Sequence, residues 1–135
     1  MKKIGGLLLL IVCLASCKKN CGIEHMIQGN YTGTFVRWQG KDGPVSHVKL
    51  TLSGSAFNGS SDSVYYPAIC SGTFNTSSNP DSIHFVNTCA FPADFDWTFI
   101  LNGSYKLVQT GDSLYIRRVI GDFVYEEDVY SLRRQ

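Results

Sequence analysis

The chain has 135 residues, a length suited to one domain, and its formal charge of +1 is close to neutral. No basic stripe interrupts that balance, so the electrostatic footprint of a nucleic-acid-binding protein is excluded. Aromatic residues make up 13% of the chain and glycine contributes 13 positions. That profile predicts β structure with many tight turns.

In chain order, Lys2-Lys3 form a positive start, and Ile4 to Ala15 form an apolar run about 12 residues long. A hydrocarbon layer needs about 20 residues to cross, so the run reads as the core of a signal peptide over residues 1–16. Leu14-Ala15-Ser16-Cys17 resembles the lipobox of bacterial lipoproteins. Small residues at 15 and 16 fit the peptidase cleft, and Cys17 supplies the thiol that takes a diacylglycerol. Cys13 is a poorer acceptor, because β-branched Val12 precedes it. The resemblance implies cleavage after Ser16, lipidation at Cys17 and attachment to an envelope membrane. Each buried methylene of the acyl chains contributes about 0.8 kcal/mol to that attachment. An ordinary secretory signal or a retained anchor is the alternative.

Cleavage leaves 119 residues with 10 basic and 11 acidic side chains. Lys18-Lys19-Asn20 lacks the acidic residue that, in lipoproteins, either retains the protein in the inner membrane or flags it for surface export. By that resemblance the expected location is the outer membrane, with the domain facing the periplasm. Residues 17–28 are expected to be a lipidated tether.

From Gly29 to residue 135 the pattern becomes short alternating runs divided by turn residues, the signature of antiparallel strands. Tyr31, Gly33, Phe35 and Arg37 alternate with Thr32, Thr34 and Val36, and Gly40 to Pro44 end that strand. Val45 to Ser53 follows, with Val48, Leu50 and Leu52 on one face. Ala56 to Ser60 is a weaker strand. Ile69 to Asn75 and Ser82 to Thr88 form a hairpin around Ser77-Ser78-Asn79-Pro80. Phe95, Trp97, Phe99 and Leu101 alternate as a further strand, closed by Asn102-Gly103, a type I′ hairpin signal. Tyr105 to Thr110, Leu114 to Ile120 and Phe123 to Leu132 complete the set, joined by two-residue turns at Gly111-Asp112 and Gly121-Asp122. Sequential hairpins leave two exposed edges unless the first and last strands pair. The expected fold is therefore all-β: a small antiparallel up-and-down barrel of about eight strands, with an open sandwich as the alternative.

The hairpin register has a consequence for the cysteines. With its turn centred between Asn79 and Pro80, Phe74 faces Phe85, Gly72 faces Asn87 and Cys70 faces Cys89. Opposed β-carbons on antiparallel strands lie about 4.5–5.5 Å apart, close enough for a disulfide in an oxidising compartment. Two buried free thiols, or pairing through Cys21, are the alternatives.

Chemistry-bearing constellations are scarce. His25, His47 and His84 are far apart and read as solvated, and no cysteine or histidine spacing suits a metal. Asp94 and Asp96 would share one face of a strand, most simply at a barrel rim, and Glu126-Glu127-Asp128 reads as a solvated face or a bulge. No catalytic residues, cofactor or metal are expected. Trp38, Trp97, Tyr105 and Tyr115, with Tyr125 and Tyr130, are the candidates for ligand binding, since aromatics of a small barrel line either its packed interior or a ligand mouth.

Gly29-Asn30-Tyr31 opens the first strand much as Gly-x-Trp opens lipocalins, with Tyr in the Trp position, and Leu132-Arg133-Arg134 offers the arginine that packs across that aromatic. Residues 93–103 and Val129-Tyr130-Ser131-Leu132 resemble small lipocalin-like lipoproteins of Gram-negative envelopes. The resemblance implies a non-enzymatic barrel that binds a small apolar ligand or an envelope partner. The alternative is a protein–protein module, such as an envelope-anchored inhibitor of a lytic enzyme.

Overall fold

The computed structural model describes residues 27–76 and 81–135. The expected signal peptide and the expected lipidation site Cys17, with Cys21 and His25, lie outside the described residues, as does the expected turn Ser77–Pro80. Eight strands follow in order: β1 (Gly29–Trp38), β2 (Ser46–Ser53), β3 (Ala56–Ser61), β4 (Ser71–Asn75), β5 (Ser82–Asn87), β6 (Gly103–Thr110), β7 (Ser113–Ile120) and β8 (Glu126–Arg134). Each pairs with the next in antiparallel fashion, and β8 returns to β1. The sheet is a closed up-and-down barrel. Among the described residues no helix is long and apolar enough to cross a membrane.

Alternation decides what points inward. Tyr31, Phe35 and Arg37 of β1, the Val48–Leu50–Leu52 face of β2, and Leu114 and Ile116 of β7 are all buried. Gly33 occupies an inward position of β1 without a side chain because the β8 backbone passes there; an added Cβ would strike the Ser131 carbonyl. Rings fill the centre in a continuous sequence, three pairs edge-to-face and the last one tilted. Phe57 meets Phe85 at 5.1 Å between centroids, Phe85 meets Tyr105 at 5.7 Å, Tyr105 meets Tyr130 at 6.1 Å, and Tyr130 meets Phe35 at 4.8 Å. Such pairs contribute about 0.5–1.5 kcal/mol beyond the apolar area they bury.

The register Gly72↔Asn87 and Phe74↔Phe85 is the expected one. It brings Cys70 and Cys89 together as a disulfide, Cα to Cα 6.3 Å. The bridge closes the base of two long loops at once.

Two expected local structures differ. Residues 95–101 do not form a strand, because β5 pairs directly with β6 and leaves no edge for one. Instead, Asp96 caps a single 3-10 turn, Trp97–Phe99, by accepting from the Thr98 N–H at 2.9 Å. Asn102-Gly103 accordingly joins no hairpin. Second, Gly121-Asp122 is not a two-residue turn: Ile120 pairs with Glu126, so a loop over 121–125 intervenes and β8 begins at Glu126.

The two barrel ends are unequal. At one end the chain enters β1 and leaves β8, β2 joins β3 through Gly54-Ser55, and β6 joins β7 through Gly111-Asp112. Ile27 is fully buried there and its carbonyl accepts from the Tyr31 hydroxyl at 2.8 Å. Arg134 lies across the Tyr31 ring, 5.5 Å from its centroid, and donates to the Tyr31 hydroxyl at 2.9 Å. The opposite end carries the connections 39–45, 62–70, 88–102 and 121–125.

Candidate functional site

The long-loop end is built around charge. Arg37 is the inward residue nearest the end of β1 and is only 2% exposed; Asp128, on neighbouring β8, is 1% exposed. The guanidinium grips the carboxylate with two bonds, Nε to Oδ1 at 2.7 Å and Nη2 to Oδ2 at 2.9 Å. Burial alone works against the Arg37 charge, but the bonded carboxylate of Asp128 outweighs it and raises the guanidinium's pKa. Asp128 therefore corrects the expectation that residues 126–128 form a solvated run. The missed signal was Arg37 itself, since an inward cation requires an inward anion.

A second cation shares the carboxylate. Arg118 of β7 donates from Nη2 to Asp128 Oδ2 at 3.1 Å and to the Thr98 carbonyl at 2.7 Å, and from Nη1 to the Asn102 carbonyl at 2.7 Å. Arg37 also reaches the same loop, donating from Nη1 to Thr98 Oγ1 at 2.8 Å and from Nη2 to the Thr98 carbonyl at 3.1 Å. The Phe99 ring lies against the Arg37 guanidinium, 3.6 Å from its centre, and Tyr105 lies 4.5 Å from that of Arg118. Loop 62–70 adds a parallel bridge, Ala68 N–H to the Phe99 carbonyl and Leu101 N–H to the Ala68 carbonyl, both 3.0 Å. The strap over 97–101 is thus latched across the barrel mouth. Both oxygens of the Asp128 carboxylate are held by guanidinium groups, so the arrangement fastens a loop and does not present a base.

Outside the latch the loops carry the opposite character. Asp42, Asp62, Asp94, Asp96 and Asp122 are exposed on them against a single lysine, Lys41. Asp62 is held below the usual carboxylate range, chiefly by the backbone N–H of His47, and Asp96 by Thr98. Exposed apolar groups stand among these charges: Val64 at 85%, Trp97 at 56% and Phe123 fully in solvent. Tyr65 stacks on Phe95 at 4.3 Å, and both contact Phe91, so loops 62–70 and 88–102 are clasped by rings as well as by the disulfide.

The four aromatic candidates part company. Tyr105 is an interior core residue at 2% exposure, and burial pushes its hydroxyl well above the ordinary phenol range. Trp97 lies on the strap, its indole N–H donating to the Pro92 carbonyl at 3.0 Å. Trp38 and Tyr115 both face the outer wall, where with Tyr125 they line one concavity. Tyr130 is interior, like Tyr105. His47 pairs with Asp62 at 3.1 Å and His84 with Ser104 at 2.9 Å. Among the described residues no group of three or more acidic, histidine or cysteine side chains is placed to hold a metal. No protein-family model matches the chain, and neither does any curated protein or solved structure.

Proposed function

We propose that this chain is a lipid-anchored envelope lipoprotein whose lipocalin-like barrel is a non-enzymatic binding module, engaging a macromolecular partner in the envelope with its long-loop end. The anchor rests on the Leu14-Ala15-Ser16-Cys17 motif, and the lipocalin-like reading is supported by Arg134 lying across Tyr31. One observation carries the choice of partner over enclosed ligand. The inward positions are filled by interlocking rings and the mouth is latched by Arg37, Asp128 and Arg118, while recognition-grade side chains stand outside on the loops. Aromatic groups ringed by charge are typical of the anchors at protein interfaces. Five aspartates beside one lysine suit a basic partner, and an inhibitor of a basic lytic enzyme is the form of this function that the fold accommodates most directly.

The test uses protein extracted from membranes in mild detergent. Native mass spectrometry is expected to show diacylglyceryl on Cys17 and no further bound lipid. The same protein is expected to slow cell-wall lysis by a basic muramidase, less so with Trp97→Ala and Phe123→Ala. An apolar molecule bound one to one inside the barrel overturns the reading in favour of a carrier.

A further inference from the structure

The outer wall of β7, β8 and β1 carries an open concavity of about 530 Å³ that runs up to the long-loop end. On the outer face Trp38 stands opposite Glu127 across the β1–β8 ladder. Tyr125, from the loop that precedes β8, turns onto Trp38 with centroids 5.2 Å apart and ring planes at 72°. Tyr115 of β7 adds a third ring, and Asp42, bridged to Trp38 through the backbone, adds a second carboxylate. Glu127 is positioned from two sides, by the Tyr125 hydroxyl at 2.9 Å and by Arg117 Nε at 2.6 Å.

Three rings and two carboxylates narrow the occupant. An anion is repelled by Asp42 and Glu127, and an acyl chain would strip water from both without replacing it. A cation gains from both features, because ring faces attract it and carboxylates neutralise it. Arg117 offsets Glu127, so Asp42 supplies the counter-charge that remains. The groove is also continuous with loops that bear five aspartates and one lysine, which extends the same electrostatic preference beyond the pocket.

We infer that this groove is a cation-recognising site that seats a lysine or arginine side chain projecting from a basic protein partner. The inference rests on the partner-binding reading above and names the chemistry at one part of that surface. An aromatic wall of this kind holds an alkylammonium or guanidinium stem by apolar contact while its charged head lies over the rings.

The chain has two indoles, Trp38 and Trp97, so the indole N–H signals of the full protein in detergent micelles report on the site directly, assigned through loss of one in Trp38→Phe. Titration with a short arginine- and lysine-containing peptide is expected to shift the Trp38 signal saturably and leave Trp97 still. Asp42→Asn and Tyr115→Ser, both exposed positions on an intact wall, are each expected to weaken binding roughly fivefold. Response to tetramethylammonium but not to the peptide would overturn the partner assignment. A response to a neutral cell-wall oligosaccharide alone, or an unmoved Trp38 signal throughout, would overturn the cation site itself. That last outcome leaves the partner-binding reading standing if muramidase inhibition persists, whereas a lipid found inside the barrel removes the reading and leaves the peptide titration to be judged on its own.

Discussion

At the end where the chain enters the barrel, closure comes from packing: Ile27 under Tyr31, Arg134 laid across the ring from 103 positions away, and turns as short as Gly111-Asp112. At the far end it comes from a network of charged hydrogen bonds, with Arg37 held by Asp128 91 positions away and by Thr98 61 positions away. The first end is apolar packing with one charge laid over a ring. The second is a buried ionic latch that keeps long, ring-bearing loops in one arrangement. The difference teaches how a small barrel divides its labour. Packing at the entry end needs only to be stable, whereas the opposite mouth holds a specific loop shape, and directional bonds specify shape better than apolar contact does.

The sharpest way to break the latch is Asp128→Ala, which strands two guanidinium groups, one of them 2% exposed. It is expected to cost about 3–5 kcal/mol in chemical denaturation. A double replacement, Arg37→Met with Asp128→Leu, is expected to recover at least half of that loss, because apolar groups of similar volume ask for no partner. Failure of the double variant to recover would mean that the strap, rather than the charge pair, dominates the energy.

Next in size is the disulfide. Replacing Cys70 and Cys89 by serine reopens a loop spanning 19 positions, and thermal unfolding is expected to report a loss of roughly 3 kcal/mol. Hydrogen exchange should rise first in loops 62–70 and 88–102, which the bridge joins at their bases, and leave the entry end protected. At that entry end, Arg134→Ala removes the ring contact and the 2.9 Å bond to Tyr31. About 1 kcal/mol is expected by denaturation, with the loops undisturbed.

The smallest effect is at the cap. Asp96 has its carboxyl depressed by Thr98, so its contribution is fully present above the ordinary aspartate range and is lost as pH falls through the lowered value. Trp97 emission should therefore hold steady through mild acid and change only below the usual carboxylate range. In Asp96→Asn that acid-dependent step is expected to vanish, with a stability loss below about 1 kcal/mol because the side chain is 54% exposed.

What could be read from the residues depends on how far apart in the chain the partners lie. Alternation over Tyr31 to Arg37 and Val48 to Leu52, together with the turn at Gly111-Asp112, is local information, and it suffices for the strand order and the closed sheet. The Cys70–Cys89 bridge was legible because hairpin register is arithmetic once the turn is placed. Residues 95–101 misled because apolar alternation describes burial and says nothing of whether a neighbouring edge exists. There Asp96 and Thr98 satisfy each other locally instead. The role of Asp128 was hidden for a related reason: its flanks, Glu126 and Glu127, make a charged run, and only the strand's inward phase separates the middle member from them. The aromatic groove combines β1, β7 and the loop before β8, a meeting that no short window contains.

One consequence of the β1–β8 closure concerns force. β1 is bonded along both sides, to β2 and to β8, and Gln135 adds a bond back to Asn30 at 2.9 Å. A pull entering through residue 29 runs along the strand axis, so the flanking ladders are loaded in shear, many bonds together, instead of being unzipped one by one. A domain loaded through its leading strand in this way resists with the whole of two ladders and does not come undone from that end first.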